Sequence, residues 1–159
     1  MNFATYPSLK NRVVFVTGGA SGIGADIVRA FGAQGSKVGF VDIDATRGTT
    51  LAEELATAGL KVSFEHCDLR DIESLKSAFA RLQARVGPAE VLVNNAAHDE
   101  RHDWKDVTPE YYDERIAVNL RHMFFAIQAV APGMIEAGRG SIINFSSNSW
   151  WEAVGGMPA

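Results

Sequence analysis

The sequence has 159 residues, is 47% hydrophobic and 21% charged, and carries a formal net charge of −4 at pH 7, a composition typical of a globular domain. The negative charge argues against nucleic acid or an anionic membrane as a partner, and no apolar run approaches the ~20 residues of a membrane span. The only cysteine, Cys67, excludes an internal disulfide, and residues 1–10 lack the basic and apolar regions of a secretory signal, so we expect one cytoplasmic domain over residues 1–159.

Short runs of β-branched residues alternate with helical patterns along the chain. The predicted strands are apolar at nearly consecutive positions, as buried parallel strands are: Arg12–Thr17, Lys37–Val41, Lys61–His66, Glu90–Val93 and Ser141–Phe145. Two segments place an apolar residue at every third or fourth position, as one face of a helix does: Ile23, Ile27 and Phe31, then Ile72, Leu75, Phe79, Leu82 and Val86. Thr108–Pro109 is a typical helix start.

The alternation of strands and helices predicts an α/β fold of the Rossmann type, with a doubly wound parallel sheet in strand order 3-2-1-4-5. Ligands of such sheets bind beyond the carboxyl ends of the strands, where the strand order reverses. The residues that follow each predicted strand are therefore the candidate site residues.

A glycine-rich segment, Thr17–Gly24 (TGGASGIG), follows the first strand and leads into the first helical pattern. Its glycines allow a tight turn and let a pyrophosphate approach backbone N–H groups at a helix N-terminus. A turn with a purely structural role is the alternative, but the position between strand and helix favours dinucleotide binding. We predict cofactor contacts from Gly18, Ser21, Gly22, Ile23 and Gly24.

An acidic residue ends the second strand. Dinucleotide-binding domains place such a residue about 20 positions after the glycines, where it binds the adenosine ribose hydroxyls, and Asp42 occupies that place. Its carboxylate would repel a 2′-phosphate, which favours NAD over NADP. Ile43 follows where an NADP enzyme could offer an arginine, and Arg47 is expected on the next helix, facing solvent. A turn aspartate is the alternative interpretation of Asp42.

Polar residues also follow the third and fourth strands. Asp68 should lie beside Asp42 and could accept a hydrogen bond from the adenine amino group, although capping of the helix that begins near Asp71 explains it equally well. Asn94–Ala97 (NNAA) suits a tight loop whose amides tie neighbouring loops together, with an ordinary turn as the alternative. Asn119 is unusual in an apolar helical context, and an asparagine bonded only to backbone is the alternative to a catalytic one.

Together these segments resemble the short-chain dehydrogenase/reductase family over essentially the whole chain. TGGASGIG is similar to its glycine motif, Asp42 to its NAD-type acidic position and Cys67–Leu69 to its adenine-pocket segment, while Asn94–Ala97 resembles its NNAG motif with alanine in place of glycine. The resemblance implies catalytic roles for Asn119 and Ser147. It also implies cofactor contacts from Asp42, Ile43, Asp68, Leu69, Asn95, Ala96 and Ala97.

The resemblance implies hydride transfer from a substrate CH–OH group to NAD. Ser147 would hydrogen-bond to the substrate oxygen, and Asn119 would hold a water that relays protons behind a lysine. Ser146 and Ser149 are alternative hydroxyl donors, although strand alternation puts Ser146 and Ser147 on opposite faces. The family's Tyr-x-x-x-Lys motif would begin one position past Ala159, so we expect an N-terminal portion without that tyrosine, the lysine or the last strands.

The substrate is expected to be a sugar. The polar segment His98–Trp104 suits a polyhydroxylated molecule, and its two histidines resemble a zinc motif only superficially because the glutamate is misplaced, so no metal is expected. Five segments look like the family's sugar dehydrogenases: Tyr6–Lys10, Asp99–His102, Asp113–Met123, Gln128–Met134 and Ser147–Trp150. The resemblance implies oxidation of the anomeric hydroxyl of an aldose such as xylose or arabinose. Substrate contacts are expected from Ser147, Ser149 and Trp150.

Two other functions stay open. One is a family member that acts on another alcohol or on a 3-oxoacyl substrate, and the other is a non-catalytic NAD-binding module that ends at residue 159. The long helical region Tyr111–Glu136 carries more large apolar residues than one stripe needs. This excess is consistent with burial on more than one side, and the resemblance to the family implies that the complete protein assembles into a homodimer or homotetramer.

Overall fold

The computed structural model describes residues 4–100 and 103–148. This part of the chain forms a five-stranded sheet of β1 (Val13–Thr17), β2 (Lys37–Asp42), β3 (Lys61–His66), β4 (Val91–Asn94) and β5 (Ser141–Asn144). All of its strand pairs are parallel, and the order is β3-β2-β1-β4-β5. The predicted order is therefore confirmed, and each predicted strand end lies within one residue of the observed end.

Helices connect the strands and cover the sheet. They are α1 (Gly22–Ala33), α2 (Ala45–Thr57), α3 (Ile72–Val86), α4 (Pro109–Ile116) and α5 (His122–Glu136). A π-turn (Ala117–Arg121) joins α4 to α5, and single 3-10 turns occupy Pro7–Leu9 and Trp104–Asp106. The Thr108 hydroxyl accepts a hydrogen bond from the Tyr111 N–H at the start of α4, which confirms the predicted helix start.

The core has two halves, one on each face of the sheet. Alternate side chains of β1 supply both halves: Phe15 packs with Leu75, Phe79 and Leu92 under α3 and α5, while Val16 lies in the half under α1 and α2. Every residue of β1 is buried. Because successive strand side chains point to opposite faces, a strand this apolar is stable only when helices cover both faces, as predicted.

The predicted stripe of α3 is confirmed, and that of α1 is wrong at its first position. Ile23 is 65% exposed, and α1 contacts the sheet instead through Gly24, Ala25, Val28 and Gly32. A Cβ at Gly32 would come within 3.2 Å of Leu60. Small residues therefore let α1 pack closely on its neighbours, and Ile23 lies on the exposed side of the helix at the edge of the candidate site.

Strand β5 differs from the expectation of a strand covered on both faces. All four of its residues are exposed, Ile142 by 40% and Ile143 by 43%. The strand is outermost among the described residues and pairs with β4 alone. In the described part of the chain, no helix is long and apolar enough to cross a bilayer.

Candidate functional site

A cleft of about 630 Å³ opens beyond the carboxyl ends of β1, β2, β3 and β4. It lies at the point between β1 and β4 where the strand order reverses, as the fold predicts. All twelve residues predicted to contact the cofactor line this one cleft: Gly18, Ser21, Gly22, Ile23, Gly24, Asp42, Ile43, Asp68, Leu69, Asn95, Ala96 and Ala97. Cys67, His98, Asp99 and Val118 line it as well.

The glycine-rich segment forms a tight turn between β1 and α1, called here the phosphate turn (Gly18–Gly24). Gly18 and Gly22 have φ of +66° and +51°, a backbone conformation that residues other than glycine rarely adopt. A Cβ at Gly24 would lie 1.9 Å from the Gly18 carbonyl oxygen. Ser21 makes no side-chain cap hydrogen bond at the start of α1, so the first N–H groups of this helix are available to an anionic ligand.

Asp42 braces the phosphate turn from the end of β2. Its Oδ2 accepts a hydrogen bond from the Ala20 N–H at 2.9 Å, and its Oδ1 accepts one from the Asp44 N–H at 3.0 Å. Each carboxylate oxygen has two lone pairs, so both oxygens keep capacity for a ligand. The side chain thus has the structural role of a turn aspartate and still faces the cleft.

Asp68 is held by an arginine that the sequence interpretation missed. Arg70 donates to both Asp68 carboxylate oxygens, with Nε at 2.9 and 3.0 Å and Nη2 at 2.6 Å, and these bonds lower the pKa of Asp68. The alternative that Asp68 caps the third helix is wrong, because Asp71 accepts the N–H bonds of Glu73 and Ser74. Asp68 therefore stays ionised and fixed at the edge of the cleft.

Asn95 ties the loop after β4 to the phosphate turn. Its Nδ2 donates to the carbonyl oxygens of Thr17 at 3.1 Å and Gly18 at 3.0 Å, which confirms the predicted link between the two loops. In return, the Thr17 hydroxyl oxygen accepts the N–H groups of Asn95 and Ala96, both at 3.1 Å. Thr17 was not among the predicted site residues. The only signal in the sequence was a polar residue at the end of an apolar strand.

Asn119 lies in the π-turn, half-buried and next to Val118, which lines the cleft. Its Oδ1 accepts the His98 N–H at 2.8 Å, and its Nδ2 donates to the His98 carbonyl at 3.1 Å. Both observed hydrogen bonds of Asn119 are thus to backbone atoms, as the alternative to a catalytic role predicted. Such π-turns interrupt helices frequently at functional sites, and this one holds the loop that follows Ala97.

The loop after Ala97 is anchored a second time. Glu100 accepts a hydrogen bond at 3.2 Å from Arg115 of α4, and the buried guanidinium of Arg115 stacks on the Tyr111 ring at 4.4 Å. His98 and Asp99 lie between the anchors and line the cleft. Among residues 4–100 and 103–148, no group of three or more His, Cys, Asp or Glu side chains could hold a metal ion.

The predicted substrate residues lie beyond β5. Ser147 is exposed and follows the strand next to β4, so it is placed on the same edge of the sheet as the cleft. Ser149 and Trp150 lie outside the described residues, as does His102. The predicted contacts of Ser147, Ser149 and Trp150 with substrate therefore stay predictions.

The parallel sheet with its reversal point and glycine turn defines a Rossmann-type α/β protein. The sequence profile of the short chain dehydrogenase family matches residues 12–159, and the chain belongs to this family. It is 49% identical to D-xylose 1-dehydrogenase of Caulobacter vibrioides over 150 residues, and the matched region covers 94% of this chain and 59% of that protein. A probable galactose dehydrogenase of Rhizobium meliloti is 50% identical over 143 residues, 89% of this chain and 56% of that protein.

Solved structures show the same relationship. A metagenomic short-chain oxidoreductase in complex with NADP has a TM-score of 0.87 and 34% identity, covering 95% of this chain and 69% of that one. The crystal structure of gox2181 has a TM-score of 0.84 and 31% identity, covering 89% and 56%. The chain spans less than two thirds of the length of the curated relatives named above.

Proposed function

We propose that the protein to which this chain belongs is an NAD-dependent oxidoreductase that oxidises the anomeric hydroxyl of an aldose. The observation that carries the proposal is that the open N-terminus of α1 and the Asp42 carboxylate line the same cleft. The Ala20 N–H of the phosphate turn donates a hydrogen bond of 2.9 Å to Asp42 Oδ2. A Cβ at Gly24 would collide with the Gly18 carbonyl oxygen, so this glycine lets α1 begin directly against the phosphate turn. The residues present thus fit an adenine dinucleotide.

Each part of the dinucleotide has a candidate partner in the cleft. The first N–H groups of α1 would bind the diphosphate, Asp42 would accept the adenosine ribose hydroxyls, and Asp68 would accept the adenine amino group. Ile43 and Leu69 provide apolar walls for the adenine ring. NAD supplies the hydride acceptor, while the chain's own contribution is binding and orientation.

The preference for NAD rests on charge. The 2′-phosphate of NADP would lie beside the Asp42 carboxylate, and two neighbouring negative charges repel one another. The basic residue on α2, Arg47, forms an ion pair with Asp44 at 3.4 Å, is largely exposed and does not line the cleft. The structural relatives in complex with NADP or NADPH are 34% identical or less. The expected preference of this protein for NAD therefore depends on Asp42 and its neighbours.

An aldose as substrate is supported by the polar loop at the cleft and by the relatives. His98 and Asp99 offer hydrogen-bonding groups to a polyhydroxylated molecule, and the two relatives near 50% identity are named for D-xylose and galactose. Ser147 would hydrogen-bond to the reacting hydroxyl, and Asn119 would hold the loop after Ala97 and a proton-relay water. Acyclic polyols are the second candidate, favoured by a D-threitol dehydrogenase and a galactitol 2-dehydrogenase at 34% and 36% identity.

Assembly into a cytoplasmic homodimer or homotetramer belongs to the same proposal. Helix α5 and the π-turn expose Leu120 and Phe124, the latter by 65%. Large apolar side chains exposed side by side are typical of interaction surfaces. Sedimentation of the full-length product of the gene measures the assembly directly.

The proposal is tested with the full-length product of the gene that encodes this chain. Titration with NADH and NADPH should show at least about tenfold tighter binding of NADH. NADH formation should be fastest with xylose, arabinose or galactose and slow with threitol and simple secondary alcohols. Activity on non-sugar alcohols alone would exclude the aldose, and a folded protein that binds neither dinucleotide would exclude the dehydrogenase altogether.

A further inference from the structure

A fully buried histidine lies behind the cleft, against the residue that holds two of its loops together, and has no part in the function proposed above. His122 is the first residue of α5, directly after the π-turn that carries Asn119. It is 0% exposed, and its Nε2 lies 3.4 Å from the Thr17 hydroxyl oxygen. The sequence separation of 105 residues between these two side chains concealed the contact from sequence analysis.

The hydrogen bonds of Thr17 determine which atom donates in this contact. A hydroxyl has one hydrogen and two lone pairs, and the Thr17 oxygen already accepts from the Asn95 and Ala96 N–H groups. The hydroxyl hydrogen must therefore point to another acceptor, and among the described residues His122 Nε2 is the group within reach. For Nε2 to accept, a neutral imidazole has to carry its proton on Nδ1.

The surroundings of the ring favour the neutral form. Burial lowers the pKa of His122, and a hydrogen bond to the Val118 backbone opposes this effect only in part. Nδ1 is completely buried and has no partner at ordinary hydrogen-bond geometry among the described residues, so its interaction with the Val118 backbone is weak. An Nδ1–H group directed at the Val118 backbone would leave neither ring nitrogen without a polar neighbour.

We propose that His122, as the Nδ1–H tautomer, is a positioning residue: its Nε2 accepts a hydrogen bond from the Thr17 hydroxyl and thereby keeps both Thr17 lone pairs directed at the N–H groups of the loop after β4. The phosphate turn follows Thr17, that loop contains Asn95, and the π-turn precedes His122. The contact between His122 and Thr17 thus joins the two loops of the cleft to the π-turn that carries Asn119. Loss of the acceptor would free the hydroxyl to rotate and weaken its bonds to both N–H groups.

The tautomer is tested first, because it does not depend on the proposed function. Nitrogen-15 NMR of the imidazole ring in the full-length protein distinguishes the protonated nitrogen from the unprotonated one. We expect Nδ1 protonated and Nε2 unprotonated near neutral pH, and the Thr17→Val variant should remove the hydrogen-bond signature at Nε2. A ring protonated at Nε2, or at both nitrogens, would overturn the proposal.

Variants then test the effect on the cleft through NADH affinity, an arm that rests on the proposed function. Gln can place an amide oxygen near the position of Nε2, whereas Asn reaches only as far as Nδ1. His122→Gln should therefore keep NADH affinity within about threefold, while His122→Asn and His122→Phe should weaken it about tenfold, the worth of one buried hydrogen bond. Equal affinity in all three variants would contradict the role.

A control and a double variant separate positioning from loss of stability. Val130 is buried on the same helix and outside the cleft, so Val130→Ala should destabilise the fold and leave NADH affinity within about twofold. Thr17→Val combined with His122→Phe should weaken binding no more than the worse single variant, because the hydrogen bond that His122→Phe removes is already absent in Thr17→Val. Additive losses would contradict the proposal. Absence of NADH binding by the wild-type protein would instead refute the proposed function and leave the tautomer test in force.

Discussion

Asp42 shows how one carboxylate can serve both the fold and the proposed cofactor choice. Its two oxygens accept the N–H groups of Ala20 and Asp44, which joins the end of β2 to the phosphate turn. Its negative charge is a separate property from these bonds, since an uncharged amide oxygen could accept one of them. The two roles can therefore be separated by one substitution.

Replacement of Asp42 by Asn should shift the cofactor preference while keeping one of the two hydrogen bonds to the backbone. The ratio of NADPH to NADH dissociation constants should fall about tenfold, because the charge that repels a 2′-phosphate is gone. Fluorescence titration of the full-length protein with both dinucleotides measures the ratio. Asp26→Asn, on the exposed side of α1, is the matched control, and an unchanged ratio in Asp42→Asn would show that another residue selects the cofactor.

Among the elements, α1 is defined more by its glycines than by its apolar pattern. Gly24 lies against the Gly18 carbonyl, whereas Gly22 has open space around it and only an unusual φ of +51°. The two positions are both glycine for different physical reasons. One prevents a collision with backbone, and the other relieves conformational strain.

These reasons predict unequal effects of alanine at the two positions. Gly22→Ala should cost about 1–2 kcal/mol of unfolding free energy through strain alone and should still bind NADH. Gly24→Ala should abolish NADH binding and lower Tm by more, although alanine is normally favoured over glycine in a helix. Thermal unfolding and NADH titration of both variants provide the comparison, and equal behaviour would contradict the close approach.

At the scale of the whole molecule, one ion-pair network joins the starts of three strands. Glu90 precedes β4 and pairs with Arg12, which precedes β1, and with Arg139 near the start of β5, at 3.2 Å from Arg139 Nη2. The Arg12 hydrogen bond holds the pKa of Glu90 below its usual value. A carboxylate with a lowered pKa stabilises the fold above its unfolded pKa, and this stability is lost as the pH falls through the folded pKa.

The network predicts a specific acid response. Glu90→Gln should lower the free energy of unfolding by about 1 kcal/mol at pH 7 and make it less sensitive to acid below about pH 4.3. Urea denaturation at pH 7, 5, 4 and 3 measures both effects. Glu53→Gln on the exposed face of α2 should behave like the wild type, and an unchanged acid profile in Glu90→Gln would mean that the network adds nothing to stability.

The strand order, the glycine turn, the start of α4 and the side-chain bonds of Asn95 to the phosphate turn were all predictable from the sequence. Each depends on signals carried by neighbouring residues: runs of apolar side chains, glycines between a strand and a helix, or a threonine before a proline. Because parallel strands end at a shared edge, those local signals also predicted that the residues after the strands would lie together, and the resemblance to the family completed the set of twelve cleft residues.

Only the tertiary structure decided the contacts between distant segments. It brought His122 to Thr17, used both ends of the Asn119 amide on His98 and left Ile23 exposed to solvent. These outcomes depend on packing distance and hydrogen-bond geometry between elements far apart in the chain. Local periodicity carries no information about such distances, so the sequence determined which residues surround the cleft, and the packing decided what holds them.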